Sequence, residues 1–151
     1  MSFFNSMNIS ASGLTAQRMR MDILSSNLAN VETTRTPDGG PFRRRAVIFE
    51  ERQPGGRSNF AAIFDRVMGR TPARGTGVRV HSIVEDPTPG PRVFDPGHPD
   101  ADADGYLERP NVNIVAEMTN MISASRAYEA NITAINATRA MMNRTLELSG
   151  R

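Results

Sequence analysis

Apolar residues recur every seven positions at both ends of this 151-residue chain, and that repeat constrains its fold more than any other feature. Near the start, Met7, Leu14, Met21 and Leu28 form an unbroken series, with Leu24 and Val31 three places beyond its last two members. Near the end, Ile114, Met121, Tyr128, Ile135 and Met142 hold one heptad position without a miss. Met118, Ile132 and Leu146 fill three of the five sites four residues on, while Ser125 and Arg139 take the other two. Such spacing keeps one side of a helix apolar. It predicts a helix over about residues 10–31, roughly 33 Å long, and a second over about 111–149, roughly 55 Å long.

The ends of these segments carry matching signals. "TTRTPDGG" stops the first, because Pro37 and the glycine pair favour a turn. For the second, Asn113 can cap the start, Glu117 suits the early turns, Arg144 lies near the end and Gly150 suits a stop. Between them, "RRAVIFEE", "GVRVHSIVED" and "PRVFDP" are short, rich in Val, Ile and Phe, and bounded by Pro or Gly, as strands are. "SNFAAIFDRVMG" places Phe60, Ile63, Phe64, Val67 and Met68 at helical spacing and predicts a short amphipathic helix. The fold class expected is α+β: long N- and C-terminal helices packing as a coiled coil, with a small β-rich middle domain. The divisions expected are an N-terminal helix in 1–36, the middle in 37–110 and a C-terminal helix in 111–151.

The C-terminal helix is short of charge. Between Val112 and Leu148 only Glu117, Arg126, Glu129, Arg139, Arg144 and Glu147 are charged. Its remaining faces offer Ser123, Ala124, Ala127, Ala130, Thr133, Ala134, Ala137 and Thr138, small residues that admit other helices at close range. That composition suits a helix surrounded by subunits rather than by water.

Several classes of function are excluded or disfavoured. There is no cysteine, so disulfides and thiolate metal sites are ruled out. Every basic residue is Arg, which excludes a Schiff-base or Walker lysine. The pI near 9.9 exaggerates the basic character, since the net charge is only +2 and few groups titrate between carboxylates and Arg. His81 and His98 stand alone, without metal-ligand spacing. Asp100, Asp102, Asp104 and Gly105 match the start of a calcium-binding loop, but the twelfth position is Asn111 rather than Glu, and Pro96 and Pro99 block the preceding helix. A solvated acidic turn is the simpler reading. Arg43, Arg44 and Arg45 suit an exposed edge or a partner contact better than a nucleic-acid site. No catalytic, cofactor or metal site is expected. "MSFFNSMNIS" lacks the basic and apolar regions of a secretory signal.

The two end segments together resemble a known family. "SGLTAQRMRMDILSSNLANVETT" is similar to the N-terminal signature of bacterial flagellar rod and hook proteins, and "NVNIVAEMTNMISASRAYEANITAINATRAMMNRTLEL" to their C-terminal signature. "TPDGGPFRRRAVIFEE", "VEDPTPGPRVFDPGHPDADADGY" and the short length narrow the resemblance to proximal-rod members. It implies a structural subunit whose end helices form a coiled coil lining the inner tube of the rod, with the β-rich middle outside. The implied partners are other copies of itself, the rod proteins FlgB, FlgF and FlgG, the rod-base adaptor FliE, and the flagellar type III export apparatus that would deliver it without a cleaved signal. No nucleic acid or small-molecule substrate is implied.

Carried over by position, the N-terminal pattern falls on Leu14, Ala16, Met21, Asp22, Asn27, Ala29 and Asn30. The C-terminal pattern falls on Asn111, Asn113, Glu117, Met118, Met121, Ile122, Arg126, Tyr128, Ala130 and Asn131. The expected seam comprises Leu14, Met21, Leu24, Leu28, Val31, Ile114, Met118, Met121, Tyr128, Ile132, Ile135, Met142 and Leu146. Asn27, Asn30, Arg126 and Asn131 are expected to fix register through polar contacts. "FAAIF" and "FDRVM" have the shape of the family's Phe-based export signal, though burial of a short helix explains them equally well.

Overall fold

The computed structural model describes residues 3–52, 67 and 77–149. Two long helices bracket short strands: α1 (Phe3–Ala29), β1 (Arg45–Glu51), β2 (Val78–Glu85), β3 (Arg92–Phe94), β4 (Tyr106–Glu108) and α2 (Ile114–Ser149). The fold class is α+β. α1 begins seven residues earlier than the heptads suggested, since nothing between Phe3 and Ser10 breaks a helix. α2 starts where its cap predicts, with the Asn113 side-chain oxygen accepting the Ala116 N–H at 3.1 Å. The helix expected over 58–69, and with it "FAAIF" and most of "FDRVM", lies outside the described residues.

The strands form two two-stranded sheets. β1 and β2 run antiparallel, with the Asp86 N–H donating to Arg44 O and the Arg52 N–H to Gly77 O, both at 2.8 Å. β3 and β4 pair antiparallel with Arg92 opposite Glu108, Val93 opposite Leu107 and Phe94 opposite Tyr106. β4 was not foreseen, because "YLE" is too short to show alternation. Its register is held by the Phe94 and Tyr106 rings, 5.3 Å apart edge to face, and by burial of Leu107.

The described residues gather into two compact units. One draws on 3–16, 49–52, 67, 77–79 and 128–149. There Gly13 admits the Asn131 side chain so closely that an added Cβ would lie 2.8 Å from its oxygen. In the same unit the Ser12 hydroxyl donates to Ile9 O at 2.6 Å and accepts the Val78 N–H at 3.0 Å, anchoring the start of β2 on α1. Gly77 makes this possible: it has φ near +121°, and any Cβ would overlap the Ser12 hydroxyl.

The other unit comprises Gln17–Ile48 and Val80–Ala127. Its buried apolar residues are Leu24, Phe42, Leu107 and Ala124, and its buried polar ones Asn27 and Glu117. Arg20 reaches Asn120 at 3.4 Å and Asn27 reaches Glu117 at 2.8 Å, so the two helices run antiparallel here.

The buried line of α2 differs from the expected one. Glu117, Ala124 and Thr138 are buried and Asn131 half-buried, at seven-residue intervals. The apolar series Met121, Tyr128, Ile135 and Met142 flanks this line and is half-buried, while Ile114, Met118, Ile132 and Leu146 are exposed. Ala124 and Thr138, expected on outer faces, are therefore turned inward. Small side chains fit the closest approach of helix to helix, and the buried polar groups are hydrogen-bonded, so neither needs to be apolar.

Candidate assembly interface

Asn27 is fully buried near the C-terminal end of α1, and its amide clasps the backbone N–H and C=O of Arg45, the first residue of β1. Nδ2 donates to Arg45 O at 2.8 Å, and Oδ1 accepts the Arg45 N–H at 2.9 Å. Because Arg44 O accepts the Asp86 N–H just past β2, the N–H and C=O of Arg45 face the opposite side, where a further strand would otherwise add. The second Nδ2 hydrogen goes to Glu117 Oε2 at 2.8 Å. An Asn side chain thus satisfies a strand edge and a helix in one step.

Glu117 completes the junction. Its side chain is 1% exposed, and Oε1 accepts Arg44 Nε at 2.7 Å. A carboxylate in the first turns of α2 also faces the positive end of that helix. Asn111, just ahead of α2, accepts the Arg44 N–H through Oδ1 at 2.9 Å. The junction therefore ties α1, the start of β1 and the start of α2 together through charge-assisted and neutral hydrogen bonds. It contains no group poised for bond-making chemistry.

The three arginines at the start of β1 separate. Arg44 turns inward to Glu117, Arg45 pairs with Glu85 at 3.0 Å and lies over the Phe42 ring, and Arg43 stays exposed. The acidic stretch is also divided. Asp100 accepts the Thr34 hydroxyl at 2.8 Å and lies 3.6 Å from Arg35. Asp102 pairs with Arg92 and accepts the N–H groups of Asp104 and Tyr106. Its role is to shape the turn before β4.

Of the expected assembly residues, Leu24 and Asn27 are buried, and Leu14, Met21, Leu28, Asn30 and Val31 are half-buried. Asn30 bonds locally, donating to Ser26 O and accepting the Thr33 hydroxyl. Arg126 is exposed on α2. Ile114, Val115, Met118, Ile122, Ile132, Met141, Leu146 and Leu148 leave a large apolar area of α2 facing solvent.

Comparison with known proteins explains such a helix. Residues 7–35 match the family model described as flagella basal body rod protein, and residues 103–148 the model of the flagellar basal body rod FlgEFG protein C-terminal region. The chain is 48% identical to the flagellar basal-body rod protein FlgC of Borreliella burgdorferi, over 98% of both chains. It is 45% identical to that of Bacillus subtilis, over 98% of this chain and 99% of the relative. Identity to the Salmonella typhimurium protein is 39%, over 98% of each.

The chain belongs to the FlgC family of flagellar basal-body rod proteins.

As a FlgC-family protein it is a structural subunit of the basal-body rod and not an enzyme. The two general rod models cover most of α1 and α2, and their matched stretches supply Asn27 and Glu117, the two buried ends of the junction. Sequence reasoning placed Asn27 among the register-setting residues but missed its partners. Glu117 read as a helix-start residue and Arg44 as part of an exposed run, because an ion pair spanning 73 positions leaves no local trace.

Proposed function

We propose that this FlgC-family chain builds the proximal rod, stacking helically on copies of itself and on FlgB, FlgF and FlgG above the adaptor FliE. Its end helices pair as a coiled coil around the export channel, the β-rich middle lies outside, and the assembled rod carries motor torque to the hook. The chain reaches its place through the flagellar type III apparatus without a cleaved signal. The observation that carries this reading is the exposed apolar side of α2, from Ile114 to Leu148, on a chain alike to FlgC relatives along almost its whole length. Burial of a large apolar side chain contributes about 1.5–3 kcal/mol, so several such residues give neighbouring subunits a strong drive to cover α2.

The deciding experiment is electron microscopy of hook and basal-body preparations from cells lacking only this chain, beside cells with the gene restored. Membrane rings without rod or hook in the deletion, and complete structures after restoration, are expected. Complete rods in the deletion would refute the reading.

A further inference from the structure

A recess of about 240 Å³ opens within the second unit, between the 39–43 turn, the 87–90 loop and the segment after β4. Two of these walls lie outside the stretches matched by the general rod models, residues 7–35 and 103–148. Gly90 fixes one wall in place, since any Cβ there would overlap the Arg109 carbonyl.

The side chains of the lining offer more donors than acceptors. Pro41, Pro87 and Pro89 contribute apolar surface and no N–H. Arg43 and Arg109 are exposed and have no ion pair among the described residues. The Asn111 side-chain nitrogen is buried without a hydrogen-bond partner, its oxygen being taken by Arg44. The lining carboxylate, Glu108, accepts the Gly90 N–H at 3.3 Å. An occupant that satisfies this set presents carboxylates.

The chain carries such an element itself. In the β3–β4 connection, the carboxylates of Asp95 and Asp104 have no bonded partner among the described residues, whereas Asp100 and Asp102 are engaged internally. We propose that the recess receives the acidic β3–β4 connection of a second copy of the chain. The inference rests on the rod-subunit reading and names one of its subunit contacts. Two different surfaces meet in it, so the contact propagates from copy to copy, as an open helical assembly requires. Opposite charges also set its register.

The absence of native cysteine makes a direct test simple. Full-length Thr88→Cys and Ala103→Cys versions, which keep every docking carboxylate, are co-expressed in cells lacking the native gene, and purified basal bodies are treated with a mild oxidant. A disulfide-linked homodimer is expected, since bridging requires Cα atoms within about 7 Å. Rods that assemble without giving this dimer overturn the proposal while leaving the rod reading intact. Absence of rod dependence in the deletion strain would sink the rod reading itself. In a second test, Arg43→Glu with Arg109→Glu reduces swarm expansion roughly threefold or more, and adding Asp95→Arg with Asp104→Arg recovers most of it. No reduction, or no recovery at normal protein levels, counts against the contact.

Discussion

Replacing Asn27 by Ala removes three hydrogen bonds, bares the Arg45 peptide and takes a donor from the buried Glu117 carboxylate. A loss of about 2–4 kcal/mol in thermal or urea unfolding is expected. Asn27→Asp should be worse than Asn27→Ala, because it sets a second carboxylate against Glu117 inside the fold. If Asp proves the milder change, the junction is not organised around the Glu117 charge. Glu117→Gln retains size and loses the ion pair with Arg44, so about 1–3 kcal/mol should be lost, less than for Glu117→Ala.

At the scale of elements, the two sides of α2 should respond oppositely to substitution. Ala124 is fully buried, so Ala124→Leu overpacks the helix contact and lowers stability by about 2 kcal/mol. Ile132 is 38% exposed, and Ile132→Asp should change the unfolding free energy of the isolated chain by only about 0.5 kcal/mol. The same Ile132→Asp variant should nevertheless abolish rod assembly and swimming. Normal swimming would mean that subunits do not cover this side of the helix. The β3–β4 connection makes a prediction of its own. Asp100 and Asp102 are held by protein groups, and Asn111, at the twelfth loop position, accepts the Arg44 N–H. Titration calorimetry with millimolar calcium should show no binding heat, and a saturable signal would contradict this account of the turn.

At the scale of the whole molecule, the described residues include few buried apolar side chains to set against two long helices. Among the described residues these are Ala16, Leu24, Phe42, Leu107 and Ala124. Residues 139–148 of α2 contribute only the half-buried Met142 to the interior, and a helical end without packing is marginal in water. Amide hydrogen exchange in the isolated chain should therefore be near the unprotected rate over 139–149 and slow around Asn27 and Glu117. In assembled rods the terminal stretch should become protected, because association stabilises whatever it covers. Equal protection in both states would show that α2 needs no neighbour.

The sequence by itself determined most of the described local structure, and the family. Heptad repeats marked both helices, Asn113 marked the start of α2, and Val- and Ile-rich runs bounded by Pro and Gly marked β1, β2 and β3. These signals act between residues a few places apart, which is why they survive in a bare string. Only the tertiary structure decided which side of α2 turns inward. Periodicity favoured the apolar line through Met121 and Tyr128, but close approach of the helices selected the small and hydrogen-bonded line through Glu117, Ala124 and Thr138. The Asn27–Glu117 bond joins positions 90 apart, and the recess gathers three segments of the chain. Pairing over such separations depends on where the fold carries each backbone, and no local pattern of residue types encodes it.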